Sequence, residues 1–421
     1  MSNPSVHPRS VLISGASIAG SALAYWLDLY GFEVTVVERA AAVRSGGYPV
    51  DIRGTAIDVV DRMGLRPQVN AAHIASQDLT FVDRDGMAVA KVPIYDLTGN
   101  TAHKDVELPR GKLTALLYGL CRESRVRYRF EDMIETLMDD GTGVDVQFKS
   151  GERKRYDVVI GADGIHSNIR RLVFGLEAPF NHYLGSTFNL FSLPNDMKLS
   201  HGAIVYAEPG RTAVVMVVRD SPHLFAMLTF TTITPAFNSH HDKAEQIERT
   251  AAVFADGGWQ VPRLLDALRN ADDLYFDTVS QIRMPTWSRG RVVLVGDAAY
   301  APSFRSGQGT SLALVGAYVL AGELACHRDP AEAFTSYDRI ARRYVEANQA
   351  LAINAVGQDL LLPRTQEELD ARNRKLAAFM PGRTAGGLSS EACAAHNSLI
   401  LPDYDVKKLR TTARACLSGR R

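Results

Sequence analysis

Apolar and polar positions run along this 421-residue chain in two distinct rhythms. Near the amino terminus SVLIS at 10–14 is an apolar run, GASIAG follows, and residues 19–29 carry apolar side chains at helical spacing until Gly31 breaks the pattern. EVTVVE at 33–38 restores an extended run, so the segment predicts a strand, turn, helix, strand unit. Residues 108–121 have helical spacing, whereas VRYRF, IETL, VDVQF and DVVIGADG predict short strands separated by the turn sequences DDGTG and KSGE. Between 180 and 230 the segments GAIVYAE, TAVVMVV and LFAMLTF have the β-branched and aromatic content of a second sheet. RVVLV at 291–295 is the kind of unbroken apolar run found in a buried parallel strand. Helical spacing then dominates 310–378, with 331–361 reading as one long helix, and PGRTAGGLSS at 381–390 reads as a linker before a short tail.

This order predicts an α/β protein whose Rossmann-like nucleotide-binding domain is interrupted by an inserted β-sheet domain. The expected division places the nucleotide domain at 1–175 and 285–330, the inserted substrate domain at 176–284, and a helical region and tail at 331–421. A chain this long exceeds what one hydrophobic core usually serves, so two packed units are expected.

Lys plus Arg equals Asp plus Glu at 47 each. No net field draws such a chain to nucleic acid or to an acidic membrane surface. Cys121, Cys326, Cys393 and Cys416 are widely spaced, with no CxxC pair and no His at ligand spacing, which argues against a disulfide framework or a metal site. Residues 1–10 lack the apolar core of a signal segment, and no uninterrupted apolar run reaches the roughly 18 residues of a membrane span. A soluble, cytoplasmic protein acting on a small molecule is the expectation.

Three strings carry candidate chemistry. In GASIAG, Gly15 permits a tight turn, Gly20 allows close packing of helix on strand, and Ser17, Ile18 and Ala19 open a helix whose amino terminus can face a pyrophosphate. Glu38, ending the next strand, is placed to accept hydrogen bonds from a ribose diol. Ser17 stands where that fingerprint has its second glycine, and the bland alternative is a turn that only joins strand to helix. The second string places Gly296 and Asp297 after a buried strand and lets Gly307, Gln308, Gly309 and Thr310 open a long apolar helix. Its free N–H groups and partial positive charge suit an anion. The third, DVVIGADGIHSNIRR, runs a strand into Asp163 and Gly164 and a new helix.

With all three in order, the chain resembles the single-component FAD-dependent aromatic hydroxylases of the para-hydroxybenzoate hydroxylase type, over about residues 8–345. GGYPVDIRG near residue 50 and LPRGKL near residue 110 make it similar to the branch containing the tetracycline-inactivating flavin monooxygenases. The resemblance implies FAD as cofactor, NADPH or NADH as co-substrate, O2, and hydroxylation of a small aromatic or polycyclic, antibiotic-like substrate through a flavin hydroperoxide. It implies that Glu38 and Arg39 meet the adenosine ribose, that Arg110 meets the ribityl and phosphate region, and that Asp51 is a further FAD contact. Asp163 and Gly164 fall on the motif shared by both nucleotides, Arg44 resembles a nicotinamide phosphate contact, and Asp297 with 307–309 falls on the ribityl and isoalloxazine contacts. A helix after residue 331 would bridge the two domains.

The chain departs from the family at the substrate side. Tyr300 and Phe304 stand where His and Pro are usual, Thr310 and Ser311 replace a small residue and Asn, and Phe191 falls where the tetracycline branch has a polar amide. Phe191 and Phe304 are thus candidate pocket residues, with ordinary packing as the alternative, and Met216 and Met227 are expected in the core. Gln281, Arg283 and Trp287 either face the pocket or belong to an edge strand. No residue is assigned as a proton carrier, since the chemistry needs positioning, dry walls and helix-terminal charge rather than an acid or base. Isolated Trp26, Trp259 and Trp287 argue against a halogenase, and the missing cysteine pair against a disulfide reductase. An FAD-dependent reductase of isoprenoid-type double bonds and a non-catalytic flavoprotein remain as alternatives.

Overall fold

The computed structural model describes residues 9–44, 46–74, 76, 78–93, 105–200, 202–218, 221–233, 242–353, 360–378 and 388–404. The apolar runs read from the sequence assemble a six-stranded sheet. Ser10–Ser14 lies between Val158–Gly161 and Glu33–Val37, both parallel to it. Arg127–Arg129 extends one side and Val292–Leu294 the other, again in parallel, and Ser288–Arg289 adds an antiparallel edge. Val11, Leu12, Ile13, Val158, Val159 and Ile160 are fully buried, as a parallel sheet covered on both faces requires. All the parallel strands end on one side, which is where an open α/β sheet binds its ligand.

The helix Ile18–Leu29 packs on Gly309–Cys326, which in turn packs on Pro330–Ala350. By length and composition Gly309–Cys326 could cross a membrane, but 83% of it is buried inside the fold. Its glycines explain how it fits: a Cβ at Gly316 would lie 1.9 Å from the Tyr300 hydroxyl, and one at Gly322 would lie 2.2 Å from the Tyr404 ring.

A seven-stranded sheet forms the second body, in the order Tyr275–Ile282, Asn181–Pro194, His223–Thr231, Arg211–Val217, Ala203–Glu208, Asp78–Val82 and Ala88–Pro93. Its last two strands come from before residue 175, so the expected boundary does not describe the whole sheet. Asp78–Val82 pairs in parallel with Ala203–Glu208 and closes an edge that the inserted segment alone would leave open. One face of this sheet buries Phe191, Leu193, Val215 and Leu228 against the helices Lys243–Phe254 and Val261–Asn270. The other face looks toward the nucleotide sheet.

The helix expected over 331–361 runs only from Pro330 to Ala350, where the chain turns; 354–359 lie outside the described residues, and Leu360 and Leu361 pack on the second sheet. The helix end nevertheless ties the bodies together. Gln349 donates to the carbonyls of Ile282 and Tyr300 at 2.8 and 3.2 Å, and Gln281 donates to the Gln349 carbonyl at 2.7 Å. The linker expected at 381–390 lies mostly outside the described residues, as does Cys416, and Leu388–His396 is helical.

Candidate active site

Three Gly-rich turns at the carboxyl ends of the parallel strands meet on one cleft. Gly15 adopts φ +105°, and a Cβ there would lie 2.5 Å from the Ala162 carbonyl oxygen. Gly20 is tighter still, since its Cβ would sit 1.9 Å from the Gly15 carbonyl. The helix Ile18–Leu29 has no side-chain cap on its first N–H groups, so they remain available to an anion. Ser17, which interrupts the glycine fingerprint, accepts a hydrogen bond from Arg110 at 3.0 Å. Its hydroxyl thereby joins a cation to the helix start.

Glu38, on the wall of this cleft, accepts hydrogen bonds from Ala16 N and Ala40 N, each 2.9 Å, with Arg39 exposed beside it. Asp163 is engaged within the protein: Ser167 Oγ donates to it at 2.5 Å and Ile169 N at 3.1 Å, so it braces the start of Asn168–Phe174. Gly164 beside it has φ +87° and nothing within 4 Å of a would-be Cβ, which leaves bare backbone at the cleft wall. Asp51 pairs with Arg53 at 3.0 Å, and its carboxylate lies 3.3 Å from a Cβ built on Gly307.

Asp297 opens onto the cleft, but enough protein surrounds it to raise its carboxyl pKa; burial drives the rise, which Arg110 opposes and Asp277 reinforces. Gly296 and Gly307 both have φ +65°. Gly309 and Thr310 line the cleft at the helix start, but Gln308 does not. Its side chain is fully buried with neither amide atom hydrogen-bonded, so the structure does not bring the side chain expected at the cofactor to the cleft. Tyr300 is likewise a core residue: its ring packs on Trp287 at 4.6 Å and its hydroxyl accepts from Tyr337 at 2.9 Å.

The cleft is continuous, with a volume of about 510 Å³, and its wall includes Arg44 and residues of the second sheet. Phe304 packs on Phe188 with ring centroids 4.6 Å apart, and Tyr275 lies 5.8 Å from Phe188. Leu190, Met216 and Met227 complete this apolar chamber. Two expectations are corrected here. Phe191 is buried beneath the opposite face of the sheet, since successive residues of a strand point to opposite sides and Phe188 and Leu190 hold the cleft-facing parity. Met216 and Met227, expected in the core, lie on that cleft face and are only half-buried.

Gln281 and Arg283 fall outside the chamber at an edge strand, Arg283 donating to Gln281 at 2.9 Å, and Trp287 is a core ring under Arg342. A charged network unseen in the sequence borders the chamber instead. His166 bridges Glu177 and Asp277, each at 3.1 Å, while Arg170 pairs with Glu177 at 2.6 Å and Tyr275 donates to Asp277 at 2.6 Å. Burial pulls the His166 pKa down, but hydrogen bonds and charge from Asp277 and Glu177 prevail and push it up to about 10. The imidazolium thus neutralises carboxylates that would otherwise face an apolar wall.

A flavin dinucleotide fits this donor set. Uncapped helix N–H groups and Arg110 suit a pyrophosphate, Glu38 a ribose, and bare backbone at Gly164 and the 307–310 turn a flat ring system.

Comparison with known proteins agrees. A family model described as FAD binding domain matches residues 9–352. An uncharacterised protein of Mycobacterium tuberculosis is 42% identical over 364 residues, covering 86% of this chain and 97% of the relative. A flavin-dependent monooxygenase from an unknown prokaryotic organism is 38% identical, covering 90% and 97%. Among solved structures, the tetracycline destructase Tet(55) superimposes with a TM-score of 0.80 at 36% identity, covering 95% of this chain and all of that one.

Proposed function

Because the chain belongs to the FAD-binding domain family and is a flavin-dependent monooxygenase, we propose that it uses NADPH or NADH with O2 to hydroxylate a flat aromatic or polycyclic compound seated in the chamber lined by Phe188, Phe304, Met216 and Met227. The observation that carries this reading is the continuity of the cleft: one cavity is walled by Glu38 and Asp297 and also by Phe188, Phe304, Met216 and Met227. An apolar chamber opening directly onto a dinucleotide groove puts a planar ligand edge against the flavin end of that groove. The similarity to tetracycline destructases supports a polycyclic ligand.

FAD supplies the redox chemistry and oxygen activation; the protein supplies position, dryness and charge. The start of Gly309–Cys326 presents N–H groups and the positive end of the helix dipole, which favour negative charge on the ring system it faces. Asp297 would hold a sugar hydroxyl, and Arg110 with Ser17 would hold the phosphates. Arg39 and Asp51 line the same cleft and would contact the dinucleotide, and Arg44 on its wall would meet the phosphate of the nicotinamide dinucleotide.

Asp297→Ala is expected to stay folded and bind FAD about 10- to 100-fold more weakly, the scale of one lost charge-assisted hydrogen bond. Equilibrium dialysis against FAD with a parallel melting curve measures both. Undiminished flavin affinity in a folded variant would show that Asp297 only caps the turn.

A further inference from the structure

Arg305 is the cation of the chamber that the cofactor reading leaves without work. It sits on the single turn Phe304–Ser306, between Phe304 of the aromatic wall and Gly307 of the cofactor turn. Ser303 just before it holds φ +73°, a backbone conformation costly for a residue with a Cβ. Ser306 locks that turn by donating from both N and Oγ to the Ser303 carbonyl. The side chain crosses to the second sheet, where it donates to Ser186 Oγ at 2.5 Å and to the Leu184 carbonyl at 3.5 Å. Two of a guanidinium's five N–H donors are thereby used. The head is anchored, and the remaining donors are left for a ligand.

Among the described residues Arg305 has no carboxylate partner. Of the acids that line its cleft, Asp51 pairs with Arg53, Asp132 with Arg129 and Asp277 with His166 and Tyr275, Asp163 accepts from Ser167 and Glu38 from two backbone N–H groups, while the cation that acts on Asp297 is Arg110. Burial and the nearby Arg364 charge lower the Arg305 pKa to about 10, against which only the Tyr183 phenol pulls. A half-buried cation with no counter-ion is unfavourable unless something anionic completes it.

We propose that Arg305 is a specificity-determining residue that anchors an anionic group, a carboxylate or an ionised enol or phenol, on the planar substrate. A guanidinium presents parallel N–H groups that match a planar oxyanion. Set between Phe304 and the cofactor turn, it would orient one edge of the ring system while the packed pair Phe188 and Phe304 forms an apolar wall beside it. The inference rests on the aromatic reading of the chamber.

The test uses the FAD-loaded protein, titrated with a hydroxynaphthoate and with the corresponding neutral hydroxynaphthamide, following perturbation of the flavin absorbance. The acid is expected to bind about tenfold or more tightly than the amide, the scale of a charge-assisted contact. Arg305→Gln should abolish that preference with amide affinity and flavin content retained, and Arg305→Lys should keep part of it. Equal binding of acid and amide by the unaltered protein, or a preference that survives Arg305→Gln, would overturn the anchor and leave the aromatic chamber standing. Failure of both probes to bind would instead overturn the chamber, and the anchor with it.

Discussion

Gly20→Ala is expected to cost the protein its FAD. The added Cβ would fall 1.9 Å from the Gly15 carbonyl oxygen and 3.4 Å from Ile13, so the helix Ile18–Leu29 must move away from the first strand. Overpacking of this kind costs about 1–3 kcal/mol or more, and here it also displaces the N–H groups that face the pyrophosphate. An affinity loss of about 100-fold or more should follow, seen as apoprotein after purification and a lower melting temperature. Gly119→Ala is the control: Gly119 lies on an exposed helix face with nothing within 4 Å of the new methyl, and helix propensity alone should leave it unchanged or about 1 kcal/mol more stable. Full flavin occupancy in Gly20→Ala would contradict the role given to this turn.

Anaerobic reduction of the bound flavin by NADPH is expected to be slow without substrate and faster, by about tenfold or more, with a true substrate present. Among the described residues one Gly-rich strand–helix junction of the dinucleotide type serves the cleft, and the proposed reading has the nicotinamide visit the cleft wall near Arg44. A ligand in the chamber can bias where the flavin ring lies only if it binds one ring position more tightly than another. Phe304 of the chamber and Gly307 of the cofactor turn lie on one short segment of the cleft wall, the route by which a ligand would act on the ring position. Arg44→Ala should weaken NADPH binding about tenfold while FAD stays bound. Stopped-flow absorbance under nitrogen measures both, and equal reduction rates with and without a hydroxylated substrate would remove the gating.

The cofactor half of this protein is legible because backbone geometry dictates it. Gly15, Gly20, Gly164 and Gly307 occupy places where a Cβ would clash or where φ is positive, and such requirements leave a linear trace. The chamber is less legible because its residues are chosen by parity and by long-range pairing. Phe188 and Phe191 are equally apolar in the sequence; only the pairing of Asn181–Pro194 with its neighbours decides which faces the cleft. Strand alternation read together with Asn189, which donates to Thr250 on the helix side, is the signal that separates them. Met216 and Met227 look like core because thioether side chains suit both environments. The His166 network joins residues more than a hundred positions apart, and the strands Asp78–Val82 and Ala88–Pro93 join a sheet whose other strands begin at Asn181. No local pattern encodes either.

One cleft joins the groove proposed for a flavin dinucleotide to the aromatic chamber in which oxygen would be inserted. The most direct test of that insertion incubates the FAD-loaded protein with NADPH, a panel of polycyclic phenols bearing an acidic group, and isotopically labelled O2, followed by mass spectrometry of the products and assay of hydrogen peroxide. One labelled oxygen atom per product molecule, with NADPH consumption matching product rather than peroxide, is the predicted result. NADPH consumption matched by peroxide across the whole panel, with no labelled product, would contradict it.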